Sequence, residues 1–184
     1  DAKWHFWSVT DNTRPLFTMH GHHPNLGIKS ITVERVAGAL VGTGGGDGAM
    51  RVWDCRVGKC IFTANEHVQA VTKIMTVNDG SVFVTGGMDN KIVLWDLRNI
   101  KYPKSHIPAH SNTVTDICSA TSDMIASVSL DGTLKLWHTG TGRMTGSYMV
   151  DETSKLTAVC SRLDGTLYTC GFDRTVRQYK LLHV

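Results

Sequence analysis

Imidazole, hydroxyl and carboxylate side chains recur together along this 184-residue chain. One set is His67, Thr85 and Asp89, and residues of the same types return further along the sequence. A serine hydrolase uses such groups, with a hydroxyl that attacks the substrate and a histidine that takes its proton. The chain has no G-x-S-x-G elbow to expose that nucleophile, and the set occurs several times in phase. We therefore expect a structural role for these groups and no enzyme activity.

A fixed interval of 42 residues organises the sets. Four aspartates and four aromatic residues recur at that interval: Asp47, Asp89, Asp131 and Asp173, and Trp53, Trp95, Trp137 and Tyr179. Asp1 and Trp7 fit the same phase at the start of the chain. Short runs rich in Val, Ile and Thr are bounded by Asp-Gly and similar turns, and no segment keeps a helical period. The pattern predicts an all-β fold of four-stranded antiparallel units arranged radially.

The repeat resembles that of the WD40 family. The endings DGAMRVWD (47–54) and DNKIVLWD (89–96) carry its signature, and the resemblance covers essentially the whole chain. It implies a WD40 β-propeller with about four and a half repeats, whose repeat is offset from the blade. The chain, 1–184, is then a single partial propeller domain with repeats ending near 7–8, 53–54, 95–96, 137–138 and 179–180. WD40 propellers most often have seven blades, so we expect the C-terminal part of a larger propeller, or a ring closed by a partner chain.

The resemblance also implies structural tetrads, in which an aspartate and a tryptophan are joined through a histidine and a hydroxyl. The complete sets are His67, Thr85, Asp89 and Trp95, and His110, Ser127, Asp131 and Trp137. An earlier set has Thr43, Asp47 and Trp53, with either His22 or His23 as its histidine. The last has Thr169, Asp173 and Tyr179, with Asp151 or Glu152 where the histidine would stand. We expect that carboxylate to turn to solvent, because Asp173 would repel it.

Composition narrows the function classes. Nineteen Lys and Arg against sixteen Asp and Glu give a net charge of +3, which is too weak to indicate nucleic acid. No apolar run approaches the ~20 residues that span a bilayer, so no membrane partner is expected. The five cysteines are odd in number and form no C-x-x-C pair, which favours a reducing intracellular compartment, cytoplasm or nucleus. Neither a metal site nor a nucleotide loop is indicated, so no cofactor is expected.

A partner surface is implied by the residues directly before the turn aspartates. In WD40 proteins these residues lie on the face that often receives partners, and here they include Met88, Leu130 and Phe172. Polar neighbours are expected in the loops that enter each first strand: Gln69, Asn112 and Lys155. The alternative is that the three apolar residues only cover the blade edge beside the channel. The favoured function is a non-catalytic protein-interaction scaffold that binds other proteins within a multi-subunit assembly.

Two other functions stay open. Trp-Asp-x-Arg occurs twice, ending at Arg56 and Arg98, and is similar to the adaptor-docking motif of substrate receptors of the cullin-4 ubiquitin ligase. The second open function is that of a structural subunit in a ribonucleoprotein complex. Direct nucleic-acid binding is not expected, because basic and aromatic residues are not interleaved. Basic residues two places before the aromatic position, Arg51, Lys135 and Arg177, are expected on a solvated strand face.

Overall fold

The computed structural model describes residues 2–8, 10, 13–34, 38–77, 80–150, 153 and 155–181. Asp1, Asp151 and Glu152, for which the sequence made predictions, lie outside them. The all-β prediction is confirmed, because the described chain forms seventeen strands in five antiparallel sheets. No helix in these ranges has the length and apolar character needed to cross a membrane.

The first sheet contains two strands, β1 (Lys3–Phe6) and β2 (Phe17–His20). Three four-stranded sheets follow, and the fifth has three strands in the described residues. The second sheet is β3 (Ile28–Val33), β4 (Leu40–Gly45), β5 (Met50–Asp54) and β6 (Lys59–Ala64). The third is β7 (Val71–Val77), β8 (Val82–Gly87), β9 (Lys91–Asp96) and β10 (Ser105–Pro108). The fourth is β11 (Val114–Ser119), β12 (Met124–Ser129), β13 (Thr133–His138) and β14 (Met144–Met149), and the fifth is β15 (Leu156–Ser161), β16 (Thr166–Gly171) and β17 (Val176–Lys180).

Each sheet is a meander in which neighbouring strands pair in sequence order. The first strands of successive sheets, β3, β7, β11 and β15, lie side by side. The turn between the second and third strands carries the repeated aspartate, and we call the side of the molecule that holds these turns the Asp-turn face. The turn between the third and fourth strands lies at the opposite end of the strands. We call it the outer turn, and its side the outer-turn side.

The core lies between successive sheets, and β9 shows why its sequence is apolar without interruption. Val93 and Trp95 pack against Met50 and Val52 of the second sheet. Ile92 and Leu94 point the other way and pack against the fourth sheet, in the cluster that contains Trp137. Alternate side chains of a strand point to opposite faces, so a strand with sheets on both sides must be apolar at every position.

Close approach of the sheets requires glycine at specific positions of the second strands. A Cβ on Gly44 would lie 2.5 Å from Val71 Cγ1, and one on Gly86 would lie 2.8 Å from Ile117 Cδ1. Both contacts join one sheet to the first strand of the next. The residue after each turn aspartate has a positive φ, at Gly48, Asn90, Gly132 and Arg174. That left-handed conformation explains the Asp-Gly and Asp-Asn dipeptides that mark the repeat.

Candidate functional site

The third sheet holds a fully formed tetrad. His67 Nδ1 lies 2.9 Å from Asp89 Oδ1, and His67 Nε2 lies 2.9 Å from Thr85 Oγ1. The indole N–H of Trp95 donates to the same hydroxyl at 3.2 Å. Because a carboxylate only accepts hydrogen bonds, we assign the ring proton to Nδ1, which leaves Nε2 to accept from the hydroxyl. Every polar atom that links the four residues thereby has a partner.

The second sheet repeats this arrangement with His22, and His23 is excluded as the ring of the set. His22 Nδ1 lies 3.0 Å from Asp47 Oδ1, and Nε2 lies 2.7 Å from Thr43 Oγ1. Trp53 Nε1 donates to that hydroxyl at 2.8 Å. His23 contributes only its backbone N–H, which donates to Asp47 Oδ2 at 3.1 Å.

The fourth sheet carries the third complete set. His110 Nδ1 lies 3.1 Å from Asp131 Oδ2, and Nε2 lies 2.8 Å from Ser127 Oγ. Trp137 Nε1 donates to Ser127 Oγ at 2.8 Å. Burial is the main cause that lowers the pKa of His110 to about 4, so the ring is neutral at physiological pH. Burial alone would raise the pKa of Asp131, but hydrogen bonds from Thr133 and from backbone amides lower it to about 2.

The fifth sheet has no complete tetrad within the described ranges, and its turn aspartate has a different charged partner. Asp173 still caps its turn, because Thr175 N donates to Asp173 Oδ1 at 3.1 Å. Its charged partner is Arg177, whose Nη1 lies 2.6 Å from Asp173 Oδ2. Thr169 Oγ1 is buried and has no hydrogen-bond partner among the described residues. Tyr179 is half-buried and packs against Tyr148 instead of donating to that hydroxyl.

The basic residues two places before each repeated aromatic residue do not form a solvated strand face. Arg51 Nη1 donates to Asp47 Oδ2 at 2.9 Å, and Arg177 forms an ion pair with Asp173. Lys135 Nζ donates to the backbone carbonyl of Ala109 at 2.7 Å. The expectation of a solvated face was therefore wrong, because two of these long cationic side chains bend toward the turn aspartates and Lys135 bends toward a backbone carbonyl.

The hydroxyls of the three complete tetrads are not accessible as nucleophiles. Thr43, Thr85 and Ser127 are completely buried, and the three histidines are at most 9% exposed. A hydroxyl that already accepts from an indole and lies behind an imidazole has no path to a substrate. No group of three or more His, Cys, Asp and Glu residues in the described ranges could hold a metal ion.

The residues predicted to bind partners share one local geometry. The backbone N–H of Met88 donates to Ala70 O at 2.9 Å, and that of Phe172 donates to Lys155 O at 3.0 Å. Leu130 N makes the equivalent bond to Thr113 O at 3.2 Å. Each residue is thereby held beside the start of a first strand. Gln69, Asn112 and Lys155 are exposed in the same entering segments.

Exposure separates the three apolar residues. Phe172 is 69% exposed and Met88 45%, whereas Leu130 is only half-buried. Val68 adds a further exposed apolar side chain, because its N–H donates to Asp89 Oδ2 and holds it on the Asp-turn face at 79% exposure. Sequence reasoning missed Val68, although its position directly after the tetrad histidine could have indicated it.

The two Trp-Asp-x-Arg arginines have matching conformations at the outer turns. Arg56 donates from Nε and Nη2 to Asp54 at 3.1 and 2.7 Å, and Arg98 donates to Asp96 at 2.9 and 2.6 Å. Hydrogen bonds from these arginines lower the pKa of each aspartate to about 2. The outer part of each guanidinium faces solvent, with side-chain exposures of 72% and 79%.

A charged pair on the first strands was not predicted. Lys73 and Asp116 lie beside a cavity of about 740 Å³ at the ends of β7, β11 and β15, whose lining includes Lys73, Cys118 and Cys160. Burial is the main cause that raises the pKa of the Cys118 thiol to about 12. The available signal was a charged residue at equivalent positions of two first strands that carry no other charge.

Repeated antiparallel sheets packed face to face, three of them fastened by a buried polar set, define a β-propeller. The family described as "WD domain, G-beta repeat" matches residues 58–96 and 101–138. The crystal structure of the computationally designed Ika4 protein superposes with a TM-score of 0.79 at 20% identity, covering 91% of this chain and 98% of that one. That likeness shows the fold alone. The chain carries repeats of the WD40 family, as its sequence predicted.

Two curated relatives illustrate how broadly such repeats are used. Autophagy-related protein 16 of Arabidopsis thaliana is 25% identical over 98% of this chain and 35% of its own length. Diphthine methyltransferase of Homo sapiens is 41% identical over 38% of this chain and 16% of its own length. The chain thus spans about a third or less of the first curated relatives it matches.

Proposed function

We propose that this chain is a non-catalytic protein-interaction scaffold within a multi-subunit assembly, and that its Asp-turn face binds a partner protein. WD40-repeat proteins are generally interaction scaffolds. The proposal rests on Met88 and Phe172. Both have exposed apolar side chains, and each is fixed by an equivalent backbone hydrogen bond to the segment that enters a first strand. Side chains presented by rigid strands bind with little loss of conformational entropy.

The non-catalytic part of the proposal is supported by the burial of the tetrads. Their hydroxyls are closed off, and the interactions within each set satisfy buried groups. The relative named as a methyltransferase matches only 71 residues, so its activity is not carried over. The proposal also assigns the chain to the cytoplasm or nucleus, since all five cysteines are free thiols.

The test replaces the apolar side chains one at a time. Proteins that co-purify with the wild-type chain are identified by mass spectrometry, and binding of the leading partner is then measured with purified components. Phe172→Asp and Met88→Asp should each weaken binding about tenfold or more. Leu163→Asp is the matched control, because Leu163 is fully exposed in the turn between β15 and β16, at the opposite end of the strands from the Asp turns. Unchanged binding in both Asp-turn variants, with the fold intact by circular dichroism, would contradict the proposal.

A ubiquitin-ligase substrate receptor is the second candidate, favoured by the matching geometry of Arg56 and Arg98. Both guanidinium groups keep an exposed edge that an adaptor could contact. Arg56→Ala and Arg98→Ala should then abolish co-purification with the cullin-4 adaptor. If the adaptor is absent from wild-type complexes, this candidate fails and the scaffold proposal is unaffected. No specific contact favours a ribonucleoprotein subunit.

A further inference from the structure

The outer turn of the third sheet is longer than its neighbours. Residues 97–104 connect β9 to β10, whereas 55–58 and 139–143 make the equivalent connections in the second and fourth sheets. A short 3-10 helix, Leu97–Asn99, begins this turn, and Asp96 accepts from Arg98 N at its start. Lys101, Tyr102 and Lys104 are all exposed in the extension.

Packing places this turn between the cations of the neighbouring sheets. Ile100 packs in the cluster that contains Phe62 of β6, the strand that begins at Lys59. On the other side, a Cβ on Gly142 would lie 2.6 Å from Ser105 Oγ, so the turn that ends at Arg143 contacts the start of β10. Lys59, Lys101, Lys104 and Arg143 therefore follow one edge of three consecutive sheets. We call these four residues the basic rim.

The cations of the basic rim form no salt bridge within the described chain, although Lys104 interacts electrostatically with Asp96 over a longer distance. All four side chains are exposed and make no ion pair there. The nearest carboxylates on the outer turns, Asp54 and Asp96, are each bound by the arginine two residues later. The rim thus holds four unpaired cations in a protein whose net charge is only +3.

Apolar side chains lie among these cations and indicate the kind of ligand. Tyr102 is 73% exposed and Val57 is 58% exposed. Single-stranded nucleic acid is held by several aromatic rings on which successive bases stack, and this edge offers one exposed ring. A peptide with acidic residues and interspersed apolar ones would match both the charge and the apolar positions.

We infer that the basic rim is a second docking surface, which binds an acidic segment of a partner protein. It lies at the opposite ends of the strands from Met88 and Phe172, so it extends the proposed scaffold function to a second partner. The rim does not depend on the first surface, and either could fail without the other.

The experiment measures binding of a fluorescent twelve-residue peptide of glutamates interrupted by leucines, with a glutamine counterpart and a twelve-nucleotide oligouridine as comparisons. The wild-type chain should bind the acidic peptide, and affinity should fall at least about fivefold between ~50 and ~300 mM salt. Lys101→Glu/Lys104→Glu should weaken binding about tenfold or more. The double control Lys29→Glu/Lys180→Glu makes the same charge change at exposed positions outside the rim.

Four results would overturn the inference. The first three are absence of peptide binding by the wild-type chain at low salt, equal losses in the rim and control variants, and tighter binding of oligouridine than of the acidic peptide. Equal binding of the glutamine peptide would also overturn it, because charge would then play no part. Phe172→Asp should leave peptide binding unchanged, which separates this surface from the Asp-turn face.

Discussion

Lys73 Nζ lies 2.8 Å from Asp116 Oδ1 and joins the first strands of the third and fourth sheets. The other oxygen of Asp116 accepts from the backbone N–H of Val159 in the fifth sheet at 3.0 Å. One carboxylate therefore links three sheets. It does so at their first strands, each of which has one edge that pairs with no other strand of the described chain. Ser30 accepts from Ile74 N at 3.1 Å at the equivalent point between the second and third sheets. These side chains satisfy backbone groups that the sheets themselves leave open.

Replacing Asp116 tests this link. Asp116→Leu should lower the free energy of unfolding by about 1–3 kcal/mol, because Val159 N loses its acceptor and Lys73 its counter-ion. Asp116→Asn keeps an oxygen for Val159 N and should cost less than about 1 kcal/mol, since the ion pair is partly exposed. Urea unfolding of both variants measures the difference. Equal stability of the two variants would show that the charge, and not the backbone contact, is the important part.

The tetrad hydroxyl offers a second prediction with a control inside the same chain. Thr85→Val removes the acceptor of Trp95 Nε1 and the partner of His67 Nε2, and should cost about 2–4 kcal/mol. Thr169→Val makes the same change in the fifth sheet, where the hydroxyl has no hydrogen-bond partner among the described residues. That variant should lie within about 0.5 kcal/mol of wild type or be more stable. Thermal unfolding of the two proteins provides the comparison, and a large loss in Thr169→Val would contradict it.

Acidification should destabilise the protein through His110. The folded pKa of about 4 lies below the ordinary value of 6.5, so the unfolded chain binds a proton first as the pH falls. The contribution is complete above pH 6.5 and is lost as the pH falls toward 4. Between pH 7 and pH 5 the free energy of unfolding should fall by about 2 kcal/mol from this residue. His110→Gln should show a shallower pH dependence in urea titrations, and an unchanged slope would argue against the assignment.

The cysteines should differ in reactivity. Burial raises the pKa of Cys118 to about 12, so its thiolate is scarce at neutral pH, whereas Cys60 is exposed. Iodoacetamide at pH 7.5 should label Cys60 at least about tenfold faster than Cys118 in the native protein. Peptide mass spectrometry over a time course measures both rates, and denaturant should make them similar. Comparable native rates would mean that the fourth sheet opens readily.

The sequence by itself determined the repeat, the all-β fold and the grouping of the tetrad residues. The tight turn requires Asp followed by a residue with positive φ, and the hydroxyl of a complete tetrad is paired with an indole and an imidazole. Because each repeat meets these requirements at the same place, the same residue types recur at a fixed interval. The first histidine stayed ambiguous because His22 and His23 are adjacent, and only the ring contact with Thr43 separates them.

Tertiary structure decided what periodicity does not encode. Alternation placed Arg51 and Arg177 on a solvated face, but flexible side chains can turn toward a nearby carboxylate, and both pair with the partly buried aspartate of their own turn. Leu130 shares the phase of Phe172 yet is less exposed, a difference that the repeat phase does not encode. Lys73 and Asp116 meet because two first strands lie side by side, a contact between repeats that no spacing within one repeat specifies.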